Sequence, residues 1–317
     1  MLEKLKSNSG LVSDIKHIEN IMLNCVKNRH ANVEQLLSDM ILKGGKRLRP
    51  LFLILCSRFG RSKPDELYDV AAAIEMIHMA TLIHDDIIDE AKVRRGQITA
   101  QSKLGKDYAV FLGDFLMNRS FMLLNGSSYT GDILQSTEKV FYGEMLQFNN
   151  RYKKNTSVAK YLRVAANKTA SLFELSCYLG SKISKCDEEV SRRLRRIGYY
   201  FGLTFQITDD VLDFTSDEED LGKDVQNDLK MGFYTLPVIY TARKDLGIWD
   251  LIEEENFKEV LIRIKEFKGL NKTIGLAERY IEKAACEVES LPDIPEKEII
   301  CGLILHMSNI LKNAHHN

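Results

Sequence analysis

The sequence predicts an all-α protein, because three features of its 317 residues favour helices over strands. Only five prolines interrupt the chain, so long segments are free to remain helical. Apolar residues recur at intervals of three and four, which is the period of a helix with one buried face. Alternating β-branched runs that end in turn-forming pairs are missing from the sequence, so we expect no strands.

The helical period also predicts where each element lies. The breaks between elements are stretches such as FGRSKPDE, LNGSSYTGD and LPDIPEKE, which are typical of helix ends. No linker, low-complexity tract or short internal repeat divides the chain, so we expect a single domain over residues 1–317. The predicted helices lie near residues 14–27, 32–42, 51–60, 65–92, 101–124, 132–151, 157–183, 187–214, 235–245, 257–267, 271–290 and 295–313.

Composition limits the classes of function. With 44% hydrophobic and 28% charged residues, the chain can bury a sizeable core. Its formal net charge of −1 gives no overall field that would favour nucleic acid or an anionic membrane, so we expect no nucleic-acid partner. No apolar run approaches the roughly 20 residues that span a bilayer, which argues against stable membrane insertion. Any partner must therefore be recognised by a local site.

The cysteines and the N-terminus predict a cytoplasmic protein. The stretch MLEKLKSNSG lacks the apolar core of a signal peptide. The six cysteines show neither a CxxC pair nor the spacing of metal ligands, which suits buried thiols in a reducing compartment. They are Cys25, Cys56, Cys177, Cys186, Cys286 and Cys301.

A strip of acidic residues ends the fourth predicted helix, in LIHDDIIDEAKVRRG at 82–96. Asp85 and Asp89 stand four residues apart, so on a helix their carboxylates project from one face about one turn apart. Such like charges repel, and an isolated pair is most often a solvated helix end. A divalent cation reverses that balance, because Mg²⁺ prefers hard oxygen ligands and commonly takes one or two carboxylates plus substrate phosphates.

A second copy of this spacing strengthens the metal-site interpretation. FQITDDVLDF repeats the D-D-x-x-D pattern with Asp209, Asp210 and Asp213, again inside an apolar helical segment. Solvated charge usually has more polar neighbours, and inward carboxylates in a helical bundle are a known way to build a metal cluster. Two copies therefore predict a shared metal site.

Basic residues near these motifs suit phosphates. GGKRLRP at 44–50 places Lys46, Arg47 and Arg49 beside two glycines that let the backbone approach a ligand closely. Arg94 and Arg95 directly follow the first motif. The alternative for GGKRLRP is a basic loop that ends one helix before Pro50 begins the next.

Five blocks in order resemble a known family. GGKRLRP, IHMATLIHDDIIDEAKVRRG, NKTASLF, FQITDDVLD and GKDVQNDLKMGFYTLP are together similar to the trans-isoprenyl diphosphate synthases, in particular their medium-chain and long-chain polyprenyl members. The likeness covers roughly residues 44 to 240. It implies a single-domain helical bundle of the isoprenoid synthase type around a deep central cavity, with the two aspartate motifs facing each other across its mouth.

The resemblance also implies roles for individual residues. The implied Mg²⁺ ligands are Asp85, Asp86, Asp89, Asp209, Asp210 and Asp213. The allylic diphosphate would be bound by Arg94, Lys168 and Lys223, and isopentenyl diphosphate by Lys46, Arg49, His78 and Arg95. Thr169 and Gln206 would face the reacting carbons. The implied catalytic set is Asp85, Asp89, Lys168, Thr169, Gln206 and Asp209.

Some nearby residues receive no direct role in substrate binding. Asp114, Glu144 and Gln147 are expected to orient other side chains, and His84 is either a partner of an aspartate or a packing residue. Phe233 stands where the family usually carries a lysine, so a phosphate contact is missing there unless Lys230 replaces it.

The chemistry implied by the family is the transfer of a prenyl group. Breaking the allylic C–O bond creates a carbocation and a diphosphate, so the site must stabilise leaving negative charge. The double bond of isopentenyl diphosphate then attacks the cation, and the departing diphosphate takes the proton. The expected product serves as a quinone side chain.

Two other classes of function remain as alternatives. A non-catalytic subunit of a heteromeric synthase would be expected to lose an aspartate motif, and both are intact here. A metal-dependent phosphohydrolase would use the His-Asp doublet of HDD, but it needs further histidine ligands with acidic neighbours.

Product length and assembly are the last expectations. Ala80 and Thr81 lie one turn before Asp85, where short-chain members of the family carry an aromatic side chain, so two small residues predict a longer tunnel. The segment 101–124 spans about 35 Å as a helix, which fits a product of about six to eight isoprene units, or C30–C40. The family predicts a homodimer, and a small second subunit is the alternative.

Overall fold

Helices form almost all of the structure, a computed structural model that describes residues 8–62, 64–94, 96–215 and 228–316. The chain divides into two compact units. The first comprises Met1–Thr137 and Leu175–Leu194, and the second comprises Glu138–Glu174 and Arg195–Asn317. The expectation of one domain over 1–317 remains a prediction.

The elements from the N-terminus to the second half of the chain are mostly those predicted. They are α1 (Ser9–Val26), α2 (Ala31–Lys43), α3 (Leu48–Ser57), α4 (Glu66–Ile88), β1 (Val93–Arg94), β2 (Gln97–Ile98), α5 (Ala100–Leu104), α6 (Lys106–Leu123), α7 (Thr130–Asn149) and α8 (Val158–Ala165). A π-helical turn (Ala166–Ala170) then leads into α9 (Ser171–Ile183) and α10 (Glu188–Asp213). The remaining helices are α11 (Leu236–Ala242), α12 (Ile248–Glu253), α13 (Phe257–Glu266), α14 (Gly269–Glu289) and α15 (Pro295–His316).

Side-chain caps fix where several helices begin. The Asn8 side chain accepts a hydrogen bond from the Leu11 amide at 3.2 Å and starts α1. Ser157 caps α8 in the same way through the Lys160 amide at 3.2 Å. These bonds satisfy amides that have no partner within the helix.

In the first unit, α4 is the central helix. Most of its 23 residues are buried, and it packs against α1, α3 and α6. Because α4 is buried on nearly every side, most of its residues are apolar. The buried polar residues at its C-terminal end depart from that pattern and therefore indicate a functional site.

The second unit has its own apolar core. Trp249, Phe257 and Val260 are buried together with residues of α11, and Phe214 packs into the same cluster. Helix α14 packs against α11 and α15. Burial of this apolar surface stabilises the unit that carries the second aspartate motif.

Two sequence predictions were wrong in detail, and one helix was not predicted. A short antiparallel pair is present, with Val93 opposite Ile98 and Arg94 opposite Gln97, although no strand was expected. Two residues per strand are too few to show an alternating pattern. Gly105, with φ of 89°, divides the predicted helix 101–124 into α5 and α6. Helix α12 was missed because its six residues are shorter than two helical turns.

Candidate active site

The first aspartate motif lies at the C-terminal end of α4. Asp85 is 8% exposed and Asp86 is 4% exposed. Asp89 is half-buried and ends the helix, and its backbone amide donates to the Asp85 carbonyl at 2.8 Å. The last turn of α4 carries no basic residue. Carboxylates at the negative end of a helix dipole repel one another and the helix, so this end of α4 favours a cation.

Arg94 is the cation that compensates Asp86. Its Nε donates to Oδ1 of Asp86 at 2.5 Å, from strand β1. Burial raises the pKa of Asp86, the Arg94 hydrogen bond and charge oppose that rise, and the charge of Asp85 adds to it. The Gln101 side chain donates to the Asp86 carbonyl at 2.5 Å and to the Ala91 carbonyl at 2.8 Å, which ties α5 to the end of the motif. Sequence reasoning missed Gln101, since nothing in its own neighbourhood resembles a motif.

A cavity of ≈ 350 Å³, here called the first-motif cavity, lies in the first unit. His78 and Arg94 line it together with Asp86, and Met79 and Leu82 add apolar surface. The residues that α4 contributes, at positions 75, 78, 79, 82 and 86, share one helix face. The cavity therefore combines a cationic and polar part with an apolar part.

The basic loop GGKRLRP presents its cations in different directions. Lys46 is exposed, whereas Arg49 is 8% exposed. Arg47, which sequence reasoning grouped with the phosphate-binding residues, is 6% exposed in a left-handed backbone conformation with φ of 50°. Its guanidinium donates to Glu75 at 2.9 Å and to Glu19 at 3.3 Å, and to the carbonyl of Ile41.

Arg47 therefore anchors the loop rather than presenting a free cation. The ion pair with Glu75 is buried on both sides, and one Glu75 oxygen, Oε2, has no hydrogen-bond partner within the described residues. A buried pair of this kind is specific in geometry, because breaking it leaves an uncompensated charge.

The two residues predicted to control product length are both inside the protein. Ala80 is fully buried and Thr81 is 6% exposed, with its hydroxyl donating to the His78 carbonyl at 2.8 Å. Both lie outside the set of residues that line the first-motif cavity. Their role in product length stays a prediction.

The second aspartate motif occupies the C-terminal end of α10. Asp209 is exposed, Asp213 is half-buried and Asp210 is 4% exposed. All three line a cavity of ≈ 180 Å³, here called the second-motif cavity, and Lys168 and Gln206 line it as well. This unit therefore gathers four carboxylates, those of the motif and of Asp228, around one space, together with the Lys168 ammonium and the Gln206 amide.

Asp210 is held by neutral donors. The Tyr161 hydroxyl donates to Oδ2 at 2.5 Å and the Gln206 amide donates to Oδ1 at 3.0 Å. Burial raises the pKa of Asp210 to about 8, although both hydrogen bonds lower it, while Asp213 and Asp209 raise it further. Burial and the neighbouring carboxylates also raise the pKa of Tyr161 well above its usual value, so its hydroxyl keeps the proton that it donates.

The π-helical turn places Lys168 and Thr169. Lys168 Nζ donates to Glu144 at 2.8 Å and to Gln147 at 2.9 Å, so these two α7 residues orient another side chain, as the sequence predicted. Thr169 donates to the Gln206 carbonyl oxygen at 2.6 Å. Since π-helical turns insert one extra residue per turn, they re-aim side chains and are frequent at functional sites.

Gly143 explains how α7 can approach that turn. A Cβ at this position would lie 2.5 Å from the backbone nitrogen of Lys168. Only glycine permits this separation, which brings Glu144 within reach of the Lys168 ammonium.

The structure locates two further residues singled out in the sequence, Phe233 and Lys230, and leaves two others outside its described ranges. Phe233 lines the second-motif cavity. Lys230, the suggested substitute for a lysine at that place, is paired with Glu255 at 3.2 Å. Arg95 and Lys223 lie outside the described residues.

His84 lies on α4 beside α6. Its Nε2 is 3.3 Å from an Asp114 carboxylate oxygen, and a Cβ at Gly113 would lie 2.3 Å from the same nitrogen. The Asp114 contact fits a partner of an aspartate and the Gly113 contact fits a packing residue, so both interpretations of His84 stay open.

The chemistry of the donors fits a hard divalent cation. Each motif offers carboxylate oxygens and no thiolate, and oxygen ligands are those that Mg²⁺ and Ca²⁺ prefer. Across the described ranges, no group of three or more histidine, cysteine, aspartate or glutamate side chains is arranged to hold a metal on its own. That is consistent with Mg²⁺, which is usually bound by one or two carboxylates with substrate phosphates completing its coordination.

The site combines two carboxylate clusters with nearby lysine and arginine side chains in a helical fold. This combination is typical of all-α enzymes that act on diphosphates. The chain matches the family model described as polyprenyl synthetase over residues 30–262. The protein therefore belongs to the polyprenyl synthetase family, whose members are prenyltransferases, and the resemblance to the trans-isoprenyl diphosphate synthases and the predicted all-α fold are confirmed. The match extends beyond residues 44 to 240 at both ends.

Individual relatives cover nearly the whole chain. Heptaprenyl diphosphate synthase component 2 of Geobacillus stearothermophilus is 35% identical over 96% of this chain and 98% of its own. The crystal structure of geranylgeranyl pyrophosphate synthase from Lactobacillus brevis has a TM-score of 0.91 at 28% identity, over 96% of this chain and 98% of that one. Polyprenyl synthase from Caulobacter crescentus, complexed with calcium and isoprenyl diphosphate, has a TM-score of 0.84 at 30% identity over 92% and 93%.

No helix among the described residues is both long enough and apolar enough to cross a bilayer.

Proposed function

We propose that this prenyltransferase adds isopentenyl diphosphate units to farnesyl or geranylgeranyl diphosphate and releases an all-trans polyprenyl diphosphate of about C30–C40, an estimate that rests on helix length. The observation that carries the proposal is the second-motif cavity. Asp209, Asp210 and Asp213 line it together with Lys168 and Gln206. Carboxylates for a divalent cation and an ammonium for phosphate oxygens are the groups that a leaving diphosphate requires.

The role of Mg²⁺ in the proposal is to neutralise the diphosphate as the allylic C–O bond breaks. Asp209 and Asp213 would hold it in the second unit, since Asp210 is engaged by Tyr161 and Gln206. Asp85 and Asp89 would hold it in the first unit, while Asp86 is engaged by Arg94. The Caulobacter relative is complexed with calcium and isoprenyl diphosphate, which supports the use of a divalent cation here.

The protein's own residues bind and orient the reactants. Lys168, fixed by Glu144 and Gln147, would contact the allylic diphosphate. Gln206 is held by Thr169 and Asp210, and in this proposal its amide dipole, rather than a nucleophile, would face the developing carbocation. No covalent enzyme intermediate is needed, because the double bond of isopentenyl diphosphate is itself the nucleophile.

Isopentenyl diphosphate is assigned to the first unit. His78 and Arg94 supply polar groups in the first-motif cavity, and Met79 and Leu82 supply apolar surface for the five-carbon part. Lys46 is exposed and therefore able to reach a diphosphate, and Arg47 holds the loop that presents it. The cavity lining supports the sequence-based assignment of His78 to the second substrate. Lys46 and Arg49 lie outside that lining, so their assignment rests on the family resemblance.

Product length is proposed from α4. The heptaprenyl relative supports a long product, whereas the Lactobacillus brevis geranylgeranyl enzyme shares the fold, so the fold alone does not set the length. Replacing Ala80 with phenylalanine should shorten the product to about three or four units, because added bulk blocks a chain growing along α4. Since Ala80 is fully buried, we also expect a stability cost of about 1–3 kcal/mol. Unchanged product length in both Ala80→Phe and Thr81→Phe would contradict this placement of the tunnel.

The proposed assembly is a homodimer acting in the cytoplasm. Large apolar side chains are exposed on α6 (Tyr108, Phe111 and Met122) and on α7 (Phe141, Met145 and Phe148), more than a monomer usually leaves in water. All six cysteines are free thiols, which suits a reducing compartment.

The alternative assembly is a heteromer in which this chain is the catalytic subunit. The Geobacillus stearothermophilus relative is named as the second component of its enzyme, which favours a small partner for this chain also. Activity of the purified chain alone separates the two assemblies.

The decisive experiment is a prenyl-transfer assay. The purified protein is incubated with Mg²⁺, farnesyl diphosphate and isopentenyl diphosphate, and the lipid product is sized by chromatography; a parallel reaction contains a chelator. Elongated prenyl diphosphate that depends on Mg²⁺ supports the proposal. Release of inorganic phosphate without elongation would favour the phosphohydrolase, and inactivity alone with activity on addition of a second subunit would favour the heteromer.

A further inference from the structure

The turn after α7 is bonded to the segment that forms one wall of the second-motif cavity. The Arg151 Nε donates to the Met231 carbonyl at 2.7 Å. The next amide, that of Tyr152, donates to the Gly232 carbonyl at 3.0 Å. Two adjacent hydrogen bonds join residues that lie 80 apart in the sequence, which fixes both the position and the orientation of the segment.

Three aromatic rings surround the Arg151 guanidinium. Its central carbon lies 4.9 Å from the ring centre of Phe233, 5.2 Å from that of Phe148 and 5.4 Å from that of Tyr152. Each distance is within the range of a cation–π interaction. Arg151 with these three rings is called the Arg151 cluster below.

Gly232 makes this close approach possible. Its φ of 77° is in the left-handed region, and a Cβ there would lie 2.5 Å from the Tyr152 ring and 2.6 Å from the Tyr152 amide nitrogen. Two backbone hydrogen bonds tighten the segment further: the Gly232 amide donates to the Leu229 carbonyl at 3.1 Å, and the Phe233 amide donates to the Asp228 backbone carbonyl at 2.8 Å. The contact therefore depends on a backbone shape that other residues rarely adopt.

The segment held in this way lines the cavity. Asp228, Gly232, Phe233, Tyr234 and Thr235 all contribute to the lining that Asp209 and Lys168 share. A shift of this wall changes the space beside the carboxylates, whereas Arg151 itself is not part of the lining.

We propose that Arg151 is a positioning residue: seated on Phe233 and bonded to Met231, it fixes residues 231–235 as a wall of the second-motif cavity and thereby sets the affinity for the allylic diphosphate. The inference rests on the proposed function, which assigns that diphosphate to this cavity. It also gives Phe233 a role, because a lysine at 233 would bring an ammonium close to the guanidinium, and like charges at such a separation repel.

The test compares Arg151→Ala with Arg279→Ala. Arg279 is an exposed arginine whose Nε donates to the Gly275 carbonyl of its own helix at 3.3 Å, so its removal also deletes one charge and one such bond, but only locally. Arg151→Ala should raise the KM for farnesyl diphosphate about tenfold, as expected for one hydrogen bond from a charged donor, with the KM for isopentenyl diphosphate changed less than about twofold. Arg279→Ala should change neither.

Amide hydrogen exchange tests the positioning role of Arg151 without an activity assay. In Arg151→Ala, the amides of Gly232 and Phe233 should exchange faster than in the wild type, while Arg279→Ala leaves them unchanged. Faster exchange in a protein that makes no prenyl product would sink the proposed function and leave the positioning role standing. Unchanged exchange together with unchanged KM values would overturn the inference.

Two further variants guard against a general loss of folding. Arg151→Lys keeps a cation over the rings and should recover part of the affinity for farnesyl diphosphate. With Arg151 present, Phe233→Lys should raise the KM for farnesyl diphosphate about tenfold over the wild type. In a protein that already carries Arg151→Met, adding Phe233→Lys should raise the KM less than about threefold over Arg151→Met alone, because the repulsion between the two cations is then removed. If Phe233→Lys lowers the KM while Arg151 is present, the Arg151 cluster does not hold the wall.

Discussion

The middle aspartates of the two motifs, Asp86 and Asp210, stand at the same place in the D-D-x-x-D spacing and are both 4% exposed, yet they have different partners. Asp86 is paired with the Arg94 guanidinium. Asp210 receives hydrogen bonds from a phenol and an amide, neither of which carries charge. Burial raises the pKa of both carboxyl groups. The pKa of Asp210 rises to about 8, whereas the Arg94 guanidinium opposes the rise in the pKa of Asp86.

This contrast extends to the units that hold the motifs. The first unit compensates buried carboxylates with guanidinium groups, in Arg94 with Asp86 and in Arg47 with Glu75. In the second unit, neutral donors hold Asp210. Equal spacing in sequence therefore does not imply equal electrostatics, because burial and partners, rather than spacing, decide how much charge a carboxylate carries.

The largest expected effect comes from the outer aspartates, and it tests whether the motifs are equivalent in function. Asp85→Asn and Asp209→Asn should each lower kcat with Mg²⁺ by on the order of several kcal/mol in transition-state stabilisation, because each removes a metal ligand. Circular dichroism and Tm should remain near wild type, since the change relieves repulsion between carboxylates. A variant that keeps near wild-type turnover would show that its motif is not a metal site.

The next effect tests guanidinium compensation in the first unit. Arg47→Met should lower the free energy of unfolding by about 3–5 kcal/mol, since it leaves Glu75 charged, buried and unpaired. Urea denaturation measures the change. The control is Lys46→Met at the neighbouring exposed position, where we expect less than about 0.5 kcal/mol. Adding Glu75→Gln to Arg47→Met should restore part of the loss, and failure to do so would mean that the pair is not the cause.

Smaller effects should separate the substrates. Lys46→Ala should raise the KM for isopentenyl diphosphate, and Lys168→Ala should raise the KM for the allylic primer. Each increase should correspond to a loss of about 1.5–3 kcal/mol in binding free energy, the contribution of one charge-assisted contact. Steady-state kinetics with one substrate varied at a time gives both values. Equal changes for both substrates in either variant would mean that the two cavities have been assigned wrongly.

The smallest effect belongs to the neutral donors of the second unit. Tyr161→Phe deletes the hydroxyl that donates to Asp210 and should cost about 0.5–1.5 kcal/mol of unfolding free energy. The same denaturation experiment applies, compared directly with Arg47→Met. A loss as large as that of Arg47→Met would show that Asp210 is compensated as a full charge, and the contrast between the units would fail.

Much of the site could be predicted from sequence because it depends on local spacing. The D-D-x-x-D patterns place Asp85 with Asp89 and Asp209 with Asp213 through helix geometry, and NKTASLF marks Lys168 and Thr169. The direction of each cation in GGKRLRP could not be predicted. Arg47 is buried and Lys46 is exposed in a loop where both Gly45 and Arg47 have positive φ, and the neighbouring sequence does not predict that backbone shape.

By itself the sequence determined the all-α fold, the two aspartate motifs and the membership of the polyprenyl synthetase family, since each rests on periodicity or on motifs read along the chain. Only the tertiary structure decided which charges are compensated and by what. Arg47 meets Glu75 across 28 residues, Tyr161 meets Asp210 across 49, and Arg151 meets Met231 across 80. The physical reason is that burial and hydrogen-bond partners depend on side chains that packing brings together from distant parts of the chain. Local periodicity does not depend on those distant side chains, so it cannot predict the partners.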